Sequence, residues 1–197
     1  MPNTSATGGF LTPVDLNSAI DDAELDALFQ QYVSGVTSLT GDLVRPRWQP
    51  TVPKQPEPSV TWCSVGVVAD SQDSYPYFGH NPNADGGLGR DEMIRHEVLQ
   101  VMATFYGINA KRYAKILLDG FNVEQNNWWF RQYGIAFQSC DNIRAVPELV
   151  NQQWVRRYDL AFFVKRCIIR TYEVKNIATA DITINSEMLS NHILIQE

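Results

Sequence analysis

The stretch RYDLAFFVKRCIIRTYEV, Arg157 to Val174, decides the fold. Its residues Tyr158, Leu160, Phe162, Val164, Ile168 and Tyr172 share one parity, with Asp159, Lys165, Thr171 and Glu173 among those of the other. A side-chain period of two belongs to a β-strand, which turns alternate residues to opposite faces. At about 3.3 Å per residue this strand extends well past the usual five or six residues. A turn at Lys175 and Asn176 leads to Ile177–Ile184, expected as its antiparallel partner.

Working outward, a second long strand is expected from Asp91 to Tyr106, where Leu99, Val101, Ala103 and Phe105 alternate with Val98, Gln100, Met102 and Thr104. Both sets contain apolar residues, so both faces near its end should be covered. Between the two strands, Asn109 suits an N-cap and Gly120 a C′ residue, with Tyr113, Ile116, Leu117 and Phe121 on one helical face. A short helix over Val123–Gln132 is bounded by Gly134, followed by a strand at Ile135–Gln138 and a break at Asn142–Pro147. Toward the N-terminus, Val60, Trp62 and Val65–Val68 form a short strand that ends in the polar residues Asp70–Ser74. Ser71–Arg90, rich in Gly, Pro and Asn, is the longest expected loop. Pro46, Pro50, Pro53, Pro56 and Pro58 make Val44–Pro58 extended or irregular. Asp15–Ser18 offers caps for a first helix of roughly 15–18 residues carrying Ala19, Leu25, Leu28, Phe29, Tyr32 and Val33.

Strands around a central helical pair imply an α+β class: a mostly antiparallel sheet with helices packed on one face. The expected organisation is a flexible N-terminal arm at 1–14, a single α+β domain at 15–184 and a C-terminal tail at 185–197.

Charged residues make up 19% of the 197, below the ~25% of a typical soluble protein. A net charge of −6 argues against a chain built to grip nucleic acid, which needs clustered Lys and Arg. Cys63, Cys140 and Cys167 lack metal or disulfide spacing, so all three are expected to behave as small hydrophobes in a reducing cytoplasm. The start MPNTSATGGFLTP lacks the basic and apolar regions of an export signal, and no stretch approaches the ~18 apolar residues of a membrane span.

No motif supplies a catalytic set. GGLGRDE, Gly86–Glu92, has neither the dinucleotide nor the P-loop spacing, and reads as a loop tip. HEVLQ at His96–Gln100 has Gln100 where a zinc-protease motif requires its second histidine, and a strand would send His96 and Glu97 to opposite faces. His80 and His192 are expected to be structural, and neither a cofactor nor a metal is indicated. On a helix Trp128, Trp129 and Phe130 fan over about 200°, which favours two core residues and one at an interface. Arg45, Arg47 and Trp48, Arg90 at the end of the long loop, Trp128 and Trp129, and Arg156 and Arg157 are the candidate subunit or partner contacts. Intramolecular ion pairs are the alternative for the arginines.

Several blocks together resemble the neck or tail terminator proteins of contractile-tailed phages: VRPRWQP at Val44–Pro50, VTWCSVG at Val60–Gly66, ATFYG at Ala103–Gly107, AKRYAKILLDGFNVEQNNWWF at Ala110–Phe130, and VPELVNQQWVRRYDLAFFVKR at Val146–Arg166. The resemblance covers about two-thirds of the chain, Val44 to Ile177. It implies an α+β terminator-like subunit that forms a hexameric ring at the tail–neck junction of the virion after assembly in the host cytoplasm. That ring would end tube polymerisation and dock the neck. Implied partners are further copies of the chain, the tail tube protein, a neck or head–tail connector protein and, where the cap extends that far, the sheath, with DNA passing through the lumen unbound. The family has no catalytic residues to transfer. The long strand and the long loop are the expected contact elements of the ring. A head-completion or stopper protein is the related alternative, and a small nucleotide-binding enzyme the alternative of another class.

Overall fold

The computed structural model describes residues 3–16, 19–49, 51, 53–150, 152–177, 179–185 and 190–196. Ser18 and Pro50 lie outside the described residues, as does the side chain of His192. The elements are α1 (Asp22–Thr37), β1 (Val44–Pro46), β2 (Trp62–Gln72), β3 (Tyr77–Asn81), a single turn α2 (Ala84–Gly87), β4 (Arg90–Tyr106), α3 (Ala110–Gly120), α4 (Glu124–Arg131), β5 (Ile135–Cys140), β6 (Arg144–Ala145), β7 (Glu148–Val150), β8 (Gln153–Val155), β9 (Arg157–Tyr172), β10 (Thr179–Asn185) and β11 (Ser190–Gln196). The class is α+β, and the main sheet runs β1-β2-β4-β9-β5, with β3 paired to β4 and β6 to β9. Both long strands form, β4 with 17 residues and β9 with 16.

The chain divides into two compact units. The larger holds residues 19–76 and 95–168. Its core lies on the sheet face that carries Cys63, Val65, Leu99, Val101, Ala103, Phe105, Leu160, Phe162 and Val164. Helix α1 lays Leu25, Leu28, Phe29, Tyr32 and Val33 onto that face, the spacing of a single helical stripe. Phe29 meets Phe130 of α4 and Phe162 of β9 at 6.0 and 5.9 Å between ring centroids, and Phe121 lies 4.8 Å from Phe162. Helix α3 adds Ala110, Ala114 and Leu117.

Arg166 fixes the start of α1. Its Nε donates to Glu97 Oε2 at 2.9 Å, and its two terminal nitrogens donate to Ile20 O and Asp21 Oδ1, each at 2.6 Å. Burial works against the guanidinium charge, but Asp21 and Glu97 outweigh it and raise the pKa of Arg166. Glu97 is buried and His96 exposed, the two sides expected from strand alternation.

The smaller unit holds residues 1–18, 77–94 and 169–197. Here β3 pairs antiparallel with the first residues of β4, from Tyr77↔Ile94 to Asn81↔Arg90. Residues of the N-terminal segment bond to the end of β9: Ser5 N–H donates to Glu173 O at 2.9 Å and Val14 N–H to Thr171 O at 2.8 Å.

Four expectations are corrected. Ser71–Arg90 is not one long loop, since β2 continues to Gln72 and β3 and α2 follow. The segment expected to pair with β9 instead pairs antiparallel with Ser190–Gln196, from Thr179↔Gln196 to Asn185↔Ser190. Helix α1 starts after Asp21, whose carboxylate is held by Arg166, so Asp15–Ser18 does not cap it. Gly120 is the last residue of α3 rather than a left-handed C′, and a Cβ there would stand 2.3 Å from Val36 Cγ1. Its missing side chain lets α1 and α3 approach each other.

Candidate interface site

The register between β2 and β4 sets Trp62 directly opposite Tyr106. Their rings stack with centroids 4.4 Å apart and planes at 11°. Arg45 of β1 lies over the Trp62 ring at 5.7 Å, and Arg157 of β9 over the Tyr106 ring at 5.8 Å. Both distances fall inside the roughly 6 Å reach of a cation–π contact. Two stacked rings thus lie between two cations in a row across four strands.

Polar groups hold each end of this row. Arg157 makes a two-pronged contact with Asp159, at 3.0 and 2.9 Å, and Glu148 lies 3.5 Å from it. The hydrogen bonds to Asp159 first, outweighing burial, and the charge interactions with its neighbours raise the Arg157 pKa. Arg45 donates to the carbonyls of Asp42 at 3.1 Å and Lys54 at 2.9 Å. Gly107 closes β4 at φ +97, where a Cβ would meet Val60 O at 2.3 Å. Its N–H donates to Arg156 O at 3.1 Å, tying the start of β9 to the end of β4. Beside the row lies a cavity of about 410 Å³ lined by Pro56, Pro58, Trp62, Tyr106, Glu148 and Gln153, among others.

The hairpin β7–β8 forms a separate two-stranded sheet next to this row. Leu149 and Trp154 are directly paired on it and are 57% and 72% exposed. Two strands alone are marginally stable in water, and large apolar groups this exposed commonly mark partner contacts.

The expected contact residues divide among several places. Arg45 and Arg157 belong to the row. Arg47 donates to Thr104 Oγ1 at 3.2 Å. Trp48 is 67% exposed, and its indole N–H donates to Val67 O at 3.3 Å. Arg156 is exposed and has no ion-pair partner among the described residues. On α4, Trp128 is 59% exposed, Trp129 is half-buried against the core and Phe130 is fully buried, the expected two-in and one-out division. Cys63 is buried and Cys140 half-buried, but Cys167 is exposed on the outward side of β9 and so does not serve as a core hydrophobe.

Arg90 falls in the smaller unit, in a charged network. It contacts Asp85 at 2.5 Å and Glu173 at 3.0 Å, while Lys175 contacts Asp85 at 3.1 Å and also Glu173. Lys175, then Arg90, lower the Asp85 pKa. Nearby, the side-chain amide of Asn176 donates to Pro82 O at 3.0 Å and Gly87 O at 2.8 Å, so its Oδ1 must accept from His80 Nε2 at 2.7 Å. His80 Nδ1 faces Asp91 Oδ1 at 2.6 Å. Both imidazole nitrogens therefore face acceptors, which favours the doubly protonated ring. Asn176, then Asp91, raise the His80 pKa accordingly.

Sequence reading missed Trp62, Tyr106, Glu148 and Asp159 as members of one cluster, and Leu149 with Trp154 as an exposed pair. The first four become neighbours only through strand register. The second pair sits on three-residue strands whose intervening sequence lacks the glycine that announces a hairpin.

The row gathers VRPRW, VTWC, FYG, VPEL and RRYDL, sequence blocks far apart in the chain. Among the described residues no helix is long and apolar enough to cross a membrane. No curated protein matches the chain. Residues 23–187 match the family model described as phage neck terminator protein. The match covers well over half of the chain, which therefore belongs to the phage neck terminator family and is a structural protein of the virion's neck and tail.

Proposed function

We propose that this chain assembles as a closed ring, with six copies as the family resemblance implies, that caps the finished tube of a contractile tail, ends its polymerisation and offers the neck its docking surface. The family match over residues 23–187 carries this reading. The gathering of the family-like blocks into one structural row agrees with a role in holding shape rather than in chemistry. A ring needs two different complementary patches on each copy, and the exposed Leu149–Trp154 pair supports the presence of one. In this reading the chain is not an enzyme, and the net charge of −6 lets DNA pass the lumen without being gripped.

Electron microscopy of particles assembled without this protein tests the role. Overlong tail tubes are expected. Tails of normal length beside unjoined heads would assign a stopper instead, and normal virions would remove the chain from assembly altogether.

A further inference from the structure

The larger unit carries two surfaces of opposite character. The first is the β7–β8 hairpin, where Leu149 and Trp154 form an exposed apolar pair. Its flanks are cationic: Arg156 directly follows β8, and Arg144, in β6, is exposed with only a 3.8 Å contact to Asp141. The second is a groove of about 630 Å³ between the start of α1 and the far half of β2. Trp48, Val67 and Val68 supply its apolar wall, and Asp22, Asp26 and Asp70 its acidic one. None of these three carboxylates has a cationic partner among the described residues, whereas Asp21 beside them is held by Arg166. Burial, with Asp22 as a like-charged neighbour, raises the Asp26 pKa, as expected where acids stand without a cation.

A hairpin cannot fill its own groove here. Gln153, Val155 and Glu148 line the cavity that holds Trp62 and Tyr106, whereas the groove takes Val67–Asp70. Those positions are five to eight residues further along β2, roughly 17–26 Å at about 3.3 Å per residue. The two surfaces thus lie toward opposite ends of the same strand, apolar matching apolar and basic matching acidic. Trp and Arg are the residue types that dominate buried contacts.

We infer that the β7–β8 hairpin of one copy docks into the α1–β2 groove of the next, with Trp154 and Leu149 against Trp48 and Val68, and Arg156 among Asp22, Asp26 and Asp70. The contact is head-to-tail, so repeating it closes a ring when the rotation per copy divides the circle. This rests on the ring reading above and names the surfaces that make the ring.

Two full-length variants test it: Leu149→Asp/Trp154→Asp in the hairpin, and Val68→Lys/Asp70→Lys in the groove. All four positions are exposed, so both variants should keep the wild-type melting temperature. Native mass measurement should find each variant alone at the 22.3 kDa monomer mass. Mixed in equal amounts, they should double that mass and stop, because each supplies the one surface that the other lacks. Variants that remain oligomers like the wild type, or a mixture that stays monomeric, overturn the assignment of surfaces while leaving the ring standing. A wild type that is monomeric at every concentration overturns it together with the ring reading.

Discussion

Tyr32 is held between Phe130 and Phe121, at 4.1 and 5.7 Å between ring centroids, yet its hydroxyl has no hydrogen-bond partner among the described residues. Burial pushes its pKa well up. A buried hydroxyl without a partner costs about 1–3 kcal/mol in desolvation. Tyr32→Phe is therefore expected to leave stability unchanged or raise it by about 1 kcal/mol, as urea unfolding will read. Arg166 is the opposite case. Removing one member of a buried ion pair costs about 3–5 kcal/mol, so Arg166→Met should lose about 3 kcal/mol. The same change made in Glu97→Leu should cost markedly less, which a double-mutant cycle checks. His80 gives a pH effect with a definite sign. Its folded pKa lies above the unfolded one, so its contribution is complete below about pH 6.5 and fades as pH rises through the folded value. The Asn176 amide, bonded to Leu88 O at 2.8 Å, should accordingly be better protected from hydrogen exchange at about pH 6 than at pH 8, after correction for intrinsic rates. His80→Phe should abolish that difference.

Helix α1 stops at Ser38, which sits at φ +59 in the left-handed region. Glycine is preferred there because a side chain costs roughly 1 kcal/mol in that conformation. Ser38→Gly should raise the unfolding midpoint by the equivalent of about 1 kcal/mol in a urea titration. At this scale the sequence declares what repeats locally and conceals what depends on pairing. Alternation exposes β4 and β9 because one buried face imprints a period of two over more than fifteen residues. It also marks the stretch around Thr179–Asn185 as extended, but periodicity says nothing about which strand lies alongside, and β11 takes the place expected of β9. Tyr77–Asn81 is too short and too polar to show a pattern, so glycines and prolines around it suggest a loop. The Trp62–Tyr106 pair and the three-residue strands β7 and β8 are hidden for the same reason: their existence is a matter of register.

Across the whole molecule, the blocks that carry the family resemblance acquire physical reasons. Gly107 in FYG passes Val60, Gly120 in LLDGF admits Val36, and RRYDL and VPEL supply Arg157, Asp159 and Glu148 to one row. Class and family were therefore legible. Of the residues expected at partner contacts, Trp48, Trp128 and Arg156 stand exposed, whereas Arg45, Arg47, Arg90 and Arg157 are engaged within the chain. An acidic chain with its arginines so engaged should not retard duplex DNA in a gel at about 150 mM salt. Retardation would contradict the unbound passage of DNA proposed above.

The sheet also sets a tempo. Val44 meets Cys63, Cys63 meets Phe105, and β4 neighbours β9 across some fifty intervening residues. Chains dominated by such distant pairings pay loop-closure entropy early and reach the native state on the millisecond-to-second scale, slower than helical bundles. Newly made copies thus pass through an interval in which their strand edges are open to one another. The yield of correctly folded copies becomes a race between folding and wrong pairing, and lower temperature or slower synthesis should tilt it toward soluble product.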